Sequence, residues 1–147
     1  MHIQGNSTQR GVAIIEFALI LPMLLVLMMI VTELGRAIMD YGTLVKSVRD
    51  AARYLSVQTP GTKITEAKNL VVYGNPDGTG SPLVPGLTTA NVPNPTWTAA
   101  GSTPVITVVT IKITGFQFEP LVANAFGWVS FGPFTFSDIQ AVMRSHL

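Results

Sequence analysis

Several residue types that usually carry catalysis or metal binding are scarce in this chain of 147 residues. Cysteine is absent, and histidine occurs only at His2 and His146, close to the two ends of the sequence. Without cysteine there are no disulfides, so packing alone must stabilise any exported domain. The same absence, with the two histidines so far apart, leaves no ligand spacing for a metal, and we expect no cofactor.

Charge is also sparse, at 12% of residues, with nine basic against eight acidic side chains. This balance gives no reason to expect a nucleic-acid partner. The sequence contains no set of serine, histidine and carboxylate for nucleophilic catalysis, and no glycine loop that opens a helix to hold phosphate. We therefore predict that the protein is not an enzyme and has no small-molecule substrate.

The feature that dominates the sequence is a long apolar run near the N-terminus. From Val12 to Val31, eighteen of twenty residues are apolar, and the interruptions are Glu16 and Pro22. At about 1.5 Å per residue such a helix is roughly 30 Å long, which is the thickness of a hydrocarbon core. The run predicts a transmembrane helix over residues 12–32.

A carboxylate inside that span, Glu16, needs an explanation, because an ionisable group there costs about 2.5 to 3.5 kcal/mol on insertion scales. No basic side chain lies between Gly11 and Glu33. Either Glu16 lies at the interface, extended toward water or protonated, or it is paired. If the chain were cut after Gly11, the new amine of Val12 would be positively charged at neutral pH and about 6 Å along the axis from Glu16. This spacing favours pairing.

The run GVAIIEFALILP, from Gly11 to Pro22, resembles the processing site of type IV prepilins and pseudopilins. In detail it is similar to the TadE-like family of the tight-adherence (Tad) pilus system, as is the later run Ala51-Ala52-Arg53-Tyr54. The resemblance implies a leader peptide over residues 1–11, removed after Gly11 by a prepilin peptidase. It also implies that the chain is a minor pilin or pseudopilin that helps assemble or initiate an adhesive pilus.

The same resemblance implies a protein of the bacterial inner membrane, with an exported C-terminal domain and with other pilins and the pilus machinery as partners. The distribution of basic residues points the other way, because Arg10 precedes the span while four basic residues follow it within about twenty positions. These four are Arg36, Lys46, Arg49 and Arg53. We give the resemblance precedence over this charge bias. The alternative is an uncleaved, signal-anchored envelope domain that binds a partner outside any filament.

Beyond the span, residues 33–58 have the pattern of an amphipathic helix that continues the membrane helix. Its apolar positions recur at steps of three and four: Leu34, Ala37, Tyr41, Leu44, Val48, Ala51 and Leu55. The stripe packs either on the chain's own domain or on neighbouring helices, and the first is favoured. Pro22 cannot donate an amide hydrogen to the carbonyl of Ala18, so we predict a helix kink there.

Residues 59–147 are predicted to form an exported α+β domain. Thr59-Pro60-Gly61 ends the long helix, a short helix follows up to Tyr73, and residues 74–103 are predicted as a long loop rich in proline and glycine. Trp97 in that loop is either a contact residue or, more in line with ordinary packing, folded back onto the domain.

Strands are predicted in the last third of the chain. Alternating apolar residues from Pro104 to Thr114 indicate one strand, with a bend at Gly115 and a helical turn over Pro120–Phe126. A last strand is expected over Phe134–Arg144. The predicted fold is a pilin-like α+β arrangement in which the long helix packs on a small antiparallel sheet.

Overall fold

The computed structural model of the protein describes residues 7–121, 124–125, 129–130 and 132–146. A single helix, α1, runs over Ser7–Ser56, so it is about 75 Å long. The continuous helix predicted from Val12 to about Val57 is confirmed. It begins five residues earlier, inside the segment predicted as a leader, because adding residues to an existing helix is far easier than starting one.

Helix α1 passes through Pro22 without interruption. Proline has no amide hydrogen, so the carbonyl of Ala18 lacks its usual helical donor. A proline can bend a helix without ending it, so the continuity of α1 does not test for a bend. The predicted kink at Pro22 stays a prediction.

The C-terminal half of α1 is amphipathic and packs on the rest of the chain. Five predicted stripe residues are buried: Ala37, Leu44, Val48, Ala51 and Leu55. Leu34 is instead 60% exposed, because the hydrophobic core reaches α1 from about Ala37 onward, and Tyr41 is 43% exposed. The favoured packing of the stripe on the chain's own domain is confirmed, but Leu34 was wrongly included in it.

A second helix, α2, covers Ile64–Tyr73 and packs beside α1. Lys63 has a left-handed backbone (φ 57°), so α2 starts just after it, and its end at Tyr73 is where the sequence predicts it. At the other end Gly74 (φ 74°) donates its amide to the carbonyl of Leu70 at 3.1 Å. Glycine adopts this left-handed conformation without steric penalty, which is why the helix ends there.

The described residues after α2 form a short 3₁₀ helix and several strands. In chain order these are the 3₁₀ helix Thr89–Asn91 and the strands β1 (Thr96–Ala100), β2 (Ile106–Ile113), β3 (Gln117–Phe118), β4 (Asn124–Ala125), β5 (Val129–Ser130), β6 (Phe134–Thr135) and β7 (Ile139–Arg144).

Strands β1, β2 and β7 form an antiparallel sheet in the order β1-β2-β7. The register places Ile111 of β2 opposite Ala141 of β7. One face of β2 buries Val109, Ile111 and Ile113 against α1 and α2. This helix-on-sheet arrangement confirms the predicted α+β fold and the antiparallel pairing of the two long strands.

Three local predictions need correction. The segment 74–103 is not loop throughout, because it contains the 3₁₀ helix and β1. Strand β1 carries little apolar alternation and is held in place by its pairing with β2.

Within Pro120–Phe126, Asn124–Ala125 form β4 and not a helical turn, while residues 122–123 and 126 lie outside the described residues. The last strand is divided into β6 and β7. Trp97 is half-buried against the core, so it does fold back onto the domain.

The two ends of the sheet differ in their distance from the membrane span. At the distal end, the amide of His146 donates to the carbonyl of Ser56, and that of Ser145 donates to Thr107. At the proximal end, Gly115 turns the chain with φ 63°, which confirms the predicted bend. The chain after Gly115 therefore returns toward the middle of α1 and carries buried Phe116 and Phe118 with it.

Candidate functional site

The predicted cleavage bond, between Gly11 and Val12, lies within α1 and close to its start at Ser7. A side chain added at Gly11 would meet no other atom within 4 Å, apart from the neighbouring backbone of its own helix. Val12 is 65% exposed. Among the described residues, nothing outside α1 packs against this bond, which is in helical conformation.

Glu16 is exposed on α1, one turn after Val12. Among the described residues, none forms a hydrogen bond or an ion pair with its carboxylate. The described part of the chain therefore supplies no partner for this charge. The pairing predicted for Glu16 stays a prediction, with a free amine at Val12 as the cation expected for it.

The segment from Gly11 to Thr32 stands outside the domain, and its apolar side chains are mostly exposed, among them Phe17, Leu19 and Met23. Helix α1 is long and apolar enough to cross a membrane by length and composition. None of the described residues of the domain packs on the most apolar stretch of this helix. Water is a poor surrounding for such a surface, whereas the hydrocarbon of a bilayer suits it.

Where the span meets the domain, charged side chains of α1 bind the chain that follows β3. We call this group the collar: Glu33, Arg36, Asp40, Phe118, Glu119 and Leu121. The Nη2 of Arg36 donates to Oε2 of Glu33 at 2.9 Å and also to the carbonyl oxygen of Glu119. The amide of Leu121 donates to Oε1 of Glu33 at 3.2 Å. The guanidinium carbon of Arg36 lies 4.3 Å from the centre of the Phe118 ring, a cation-π contact.

Asp40 completes the collar, with its Oδ2 3.8 Å from Nη1 of Arg36. Partial burial raises the pKa of Asp40 above its ordinary value of 3.8; Arg36 counteracts this shift, and the nearby charge of Glu33 adds to it. The folded protein therefore holds a proton on Asp40 more tightly than the unfolded chain does. Stability contributed by this group falls as pH rises through the interval above 3.8, and the loss persists at neutral pH.

We expect the variant Asp40→Asn to be slightly more stable than the parent at pH 7, by less than about 1 kcal/mol because the group is only partly shielded from water. The difference should disappear below pH 3.8, where both proteins are uncharged at this position. Urea unfolding of the full-length parent and variant in detergent, at several pH values, measures the difference in their free energies of unfolding. A parent more stable than the variant at pH 7 would show that the Arg36 ion pair outweighs the burial of Asp40.

The spacing of Arg36 and Asp40, four residues apart on a helix, predicts an ion pair from the sequence alone, but the rest of the collar was not predicted. The spacing of Glu33 and Arg36, three residues apart on a helix, was a usable signal for a local ion pair. Nothing in the sequence indicated that Glu119 and Leu121, more than eighty residues further on, would bind the same two side chains. Their position follows from the bend at Gly115.

The fold and this surface define an α+β protein with a single helix suited to anchor it in a membrane. The model of the family described as TadE-like protein matches residues 11–53, so the predicted resemblance is confirmed over that part of the chain. The match begins at Gly11 and ends within the packed half of α1. The match is thus to a family of pilus-associated structural proteins and covers less than half of the chain. No curated protein and no solved structure matches the chain.

Proposed function

We propose that this protein is a minor pilin or pseudopilin that takes part in the assembly or initiation of a Tad-type adhesive pilus. The observation that carries the proposal is the coincidence of two boundaries at adjacent residues of one continuous helix. The family match begins at Gly11, the apolar run begins at Val12, and both lie on the continuous helix α1. The proposed role requires a membrane-spanning helix that carries a domain at its end, and α1 joins these two parts without a break.

The proposed processing step is cleavage after Gly11 by a prepilin peptidase, which removes residues 1–11. The scissile bond is within two turns of the first residue of α1, and helix ends open at little free-energy cost. Cleavage creates a positively charged amine at Val12, one turn from Glu16. The product thus contains a cation and an anion one turn apart on the same helix.

The proposed location is the bacterial inner membrane, crossed once by residues 12–32, with the domain from residue 59 onward exported. Its partners there are the peptidase, other pilins and the pilus assembly machinery. The major pilins of such systems are short and nearly all helical, whereas this chain carries α2 and a three-stranded sheet beyond α1. This additional domain supports a minor component rather than the main filament subunit.

Intact mass measurement of the protein purified from membranes of its bacterial host tests the proposal. We expect a chain that begins at Val12, with no residue of the leader retained. The same measurement on pili sheared from the cells shows whether the processed chain leaves the membrane with the filament. Recovery from either fraction fits a pilin or pseudopilin.

The alternative function, an uncleaved envelope domain that binds a partner outside any filament, predicts a different mass. In that case the purified protein retains the residues before Val12. Deletion of the gene would also leave piliation unchanged. Either result would contradict the proposal.

A further inference from the structure

The length of the membrane span determines where the collar lies along the membrane normal. Residues 12–32 occupy the hydrocarbon core of about 30 Å, and the polar headgroup layer adds roughly 5 to 7 Å on each side. On a helix that layer corresponds to about four residues. Glu33 and Arg36 therefore lie within the headgroup layer on the side of the domain.

The collar holds a distant part of the chain at the same height. Glu33 accepts the amide hydrogen of Leu121, and Arg36 binds the carbonyl oxygen of Glu119. Both bonds join side chains of α1 to backbone atoms of residues 119–121. They therefore hold the backbone of Leu121 beside the start of the domain, whatever conformation the Leu121 side chain adopts. The loop after β3 is thereby placed at the surface of the bilayer.

Apolar side chains at this level are uncovered. Leu121 is 80% exposed and Leu34 is 60% exposed. Phe134, 45% exposed, has its ring centre 5.0 Å from that of Phe118, which in turn contacts Arg36. We call these three exposed residues, Leu34, Leu121 and Phe134, the proximal face. Exposing three large apolar residues to water next to a membrane span is unfavourable, and burying each in lipid would recover part of its transfer free energy.

We propose that the proximal face rests in the interfacial layer of the bilayer, so that lipid covers Leu121, Leu34 and Phe134 and the domain lies against the membrane. Continuity with the span supports lipid as the occupant, because any membrane that contains residues 12–32 necessarily surrounds Leu34. The proposal rests on the membrane anchor alone and is independent of the assignment to pilus assembly.

The charges of the collar define the type of lipid contact. Glu33, Asp40 and Glu119 outnumber Arg36, so the face has no excess of positive charge to attract anionic headgroups. Basic clusters are what bind anionic lipids. The contact is therefore apolar insertion among zwitterionic lipids, as in interfacial segments generally, and not electrostatic adsorption.

The test uses the absence of cysteine from the sequence, which makes any introduced cysteine a unique labelling site. The full chain carrying Leu121→Cys is spin-labelled and reconstituted in phosphatidylcholine liposomes at high lipid-to-protein ratio. The matched control is Val105→Cys, an exposed apolar position (63%) near the distal end of the sheet. Collision rates of each label with oxygen, which concentrates in lipid, and with a water-soluble nickel chelate report its surroundings.

We expect the ratio of oxygen to nickel collisions to be several-fold higher at residue 121 than at residue 105, and unchanged when anionic phosphatidylglycerol is added. Equal ratios at the two positions would overturn the proposal. So would a label at residue 121 that is shielded from both reagents, since that indicates cover by protein. A ratio that rises only with phosphatidylglycerol would replace apolar insertion by electrostatic adsorption and equally contradict it.

Discussion

Replacing Gly11 with leucine is expected to abolish removal of the leader, so that the whole chain accumulates uncut in the membrane. Glycine has no side chain, and a peptidase that works at the membrane surface needs close access to the backbone. The substitution leaves the protein itself intact, because a side chain at Gly11 meets no atom of the rest of the structure within 4 Å. Intact mass of the membrane fraction measures the result.

The matched control is Gly35→Leu. Gly35 is also within α1, and a side chain added there likewise meets nothing within 4 Å. This variant should be processed like the parent, since it lies far from the cleavage bond. Normal processing of Gly11→Leu, with the variant correctly inserted, would exclude the proposed cleavage after Gly11.

The variant Glu16→Gln is expected to be processed and folded normally but to lose most of its incorporation into the pilus machinery. We propose that, in an assembly, the amine of Val12 from an axially staggered neighbour reaches the carboxylate of Glu16 in a surrounding of low dielectric constant. Removing one member of a buried ion pair typically costs about 3 to 5 kcal/mol, because the other charge stays buried without a partner. Glutamine keeps the shape and removes the charge, so the loss tests the charge itself.

Piliation and recovery of partner pilins by pulldown, compared at equal protein levels, measure this effect. Asp50→Asn serves as the control, because Asp50 is an exposed acid on the same helix, outside the span. It should behave like the parent. If Glu16→Gln also matched the parent in both assays, the intermolecular pair would be excluded, and Glu16 would be a tolerated acid near the membrane interface.

The helical part of this protein was predictable because its signals are local. The apolar run after Gly11 and the repeat of three and four residues from Ala37 to Leu55 are properties of one helix and depend on no distant residue. The error at Leu34 arose where the pattern continued beyond the reach of the domain. An apolar position on a helix is buried only if another element, or lipid, lies opposite it.

The sheet was predictable in part. Strand β2 has a buried face, so Val109, Ile111 and Ile113 alternate with more polar residues and identify it. Strand β1 has the sequence TWTAA at the edge of the sheet, mostly exposed, and carries no such alternation. It is a strand because each of its residues, from Thr96 to Ala100, pairs with a residue of β2. Edge strands of this kind cannot be recognised without knowing their neighbour.

The sequence by itself determined the membrane helix, the position of Gly11 and Glu16 relative to it, and the amphipathic continuation that packs on the domain. All of these depend on residue type and on the fixed rise and turn of a helix. Only the tertiary structure decided that Glu119 and Leu121 bind Arg36 and Glu33, and therefore which part of the domain lies beside the apolar half of α1. Whether residues so far apart come into contact depends on the conformation of the whole chain between them. No local sequence pattern predicts that conformation.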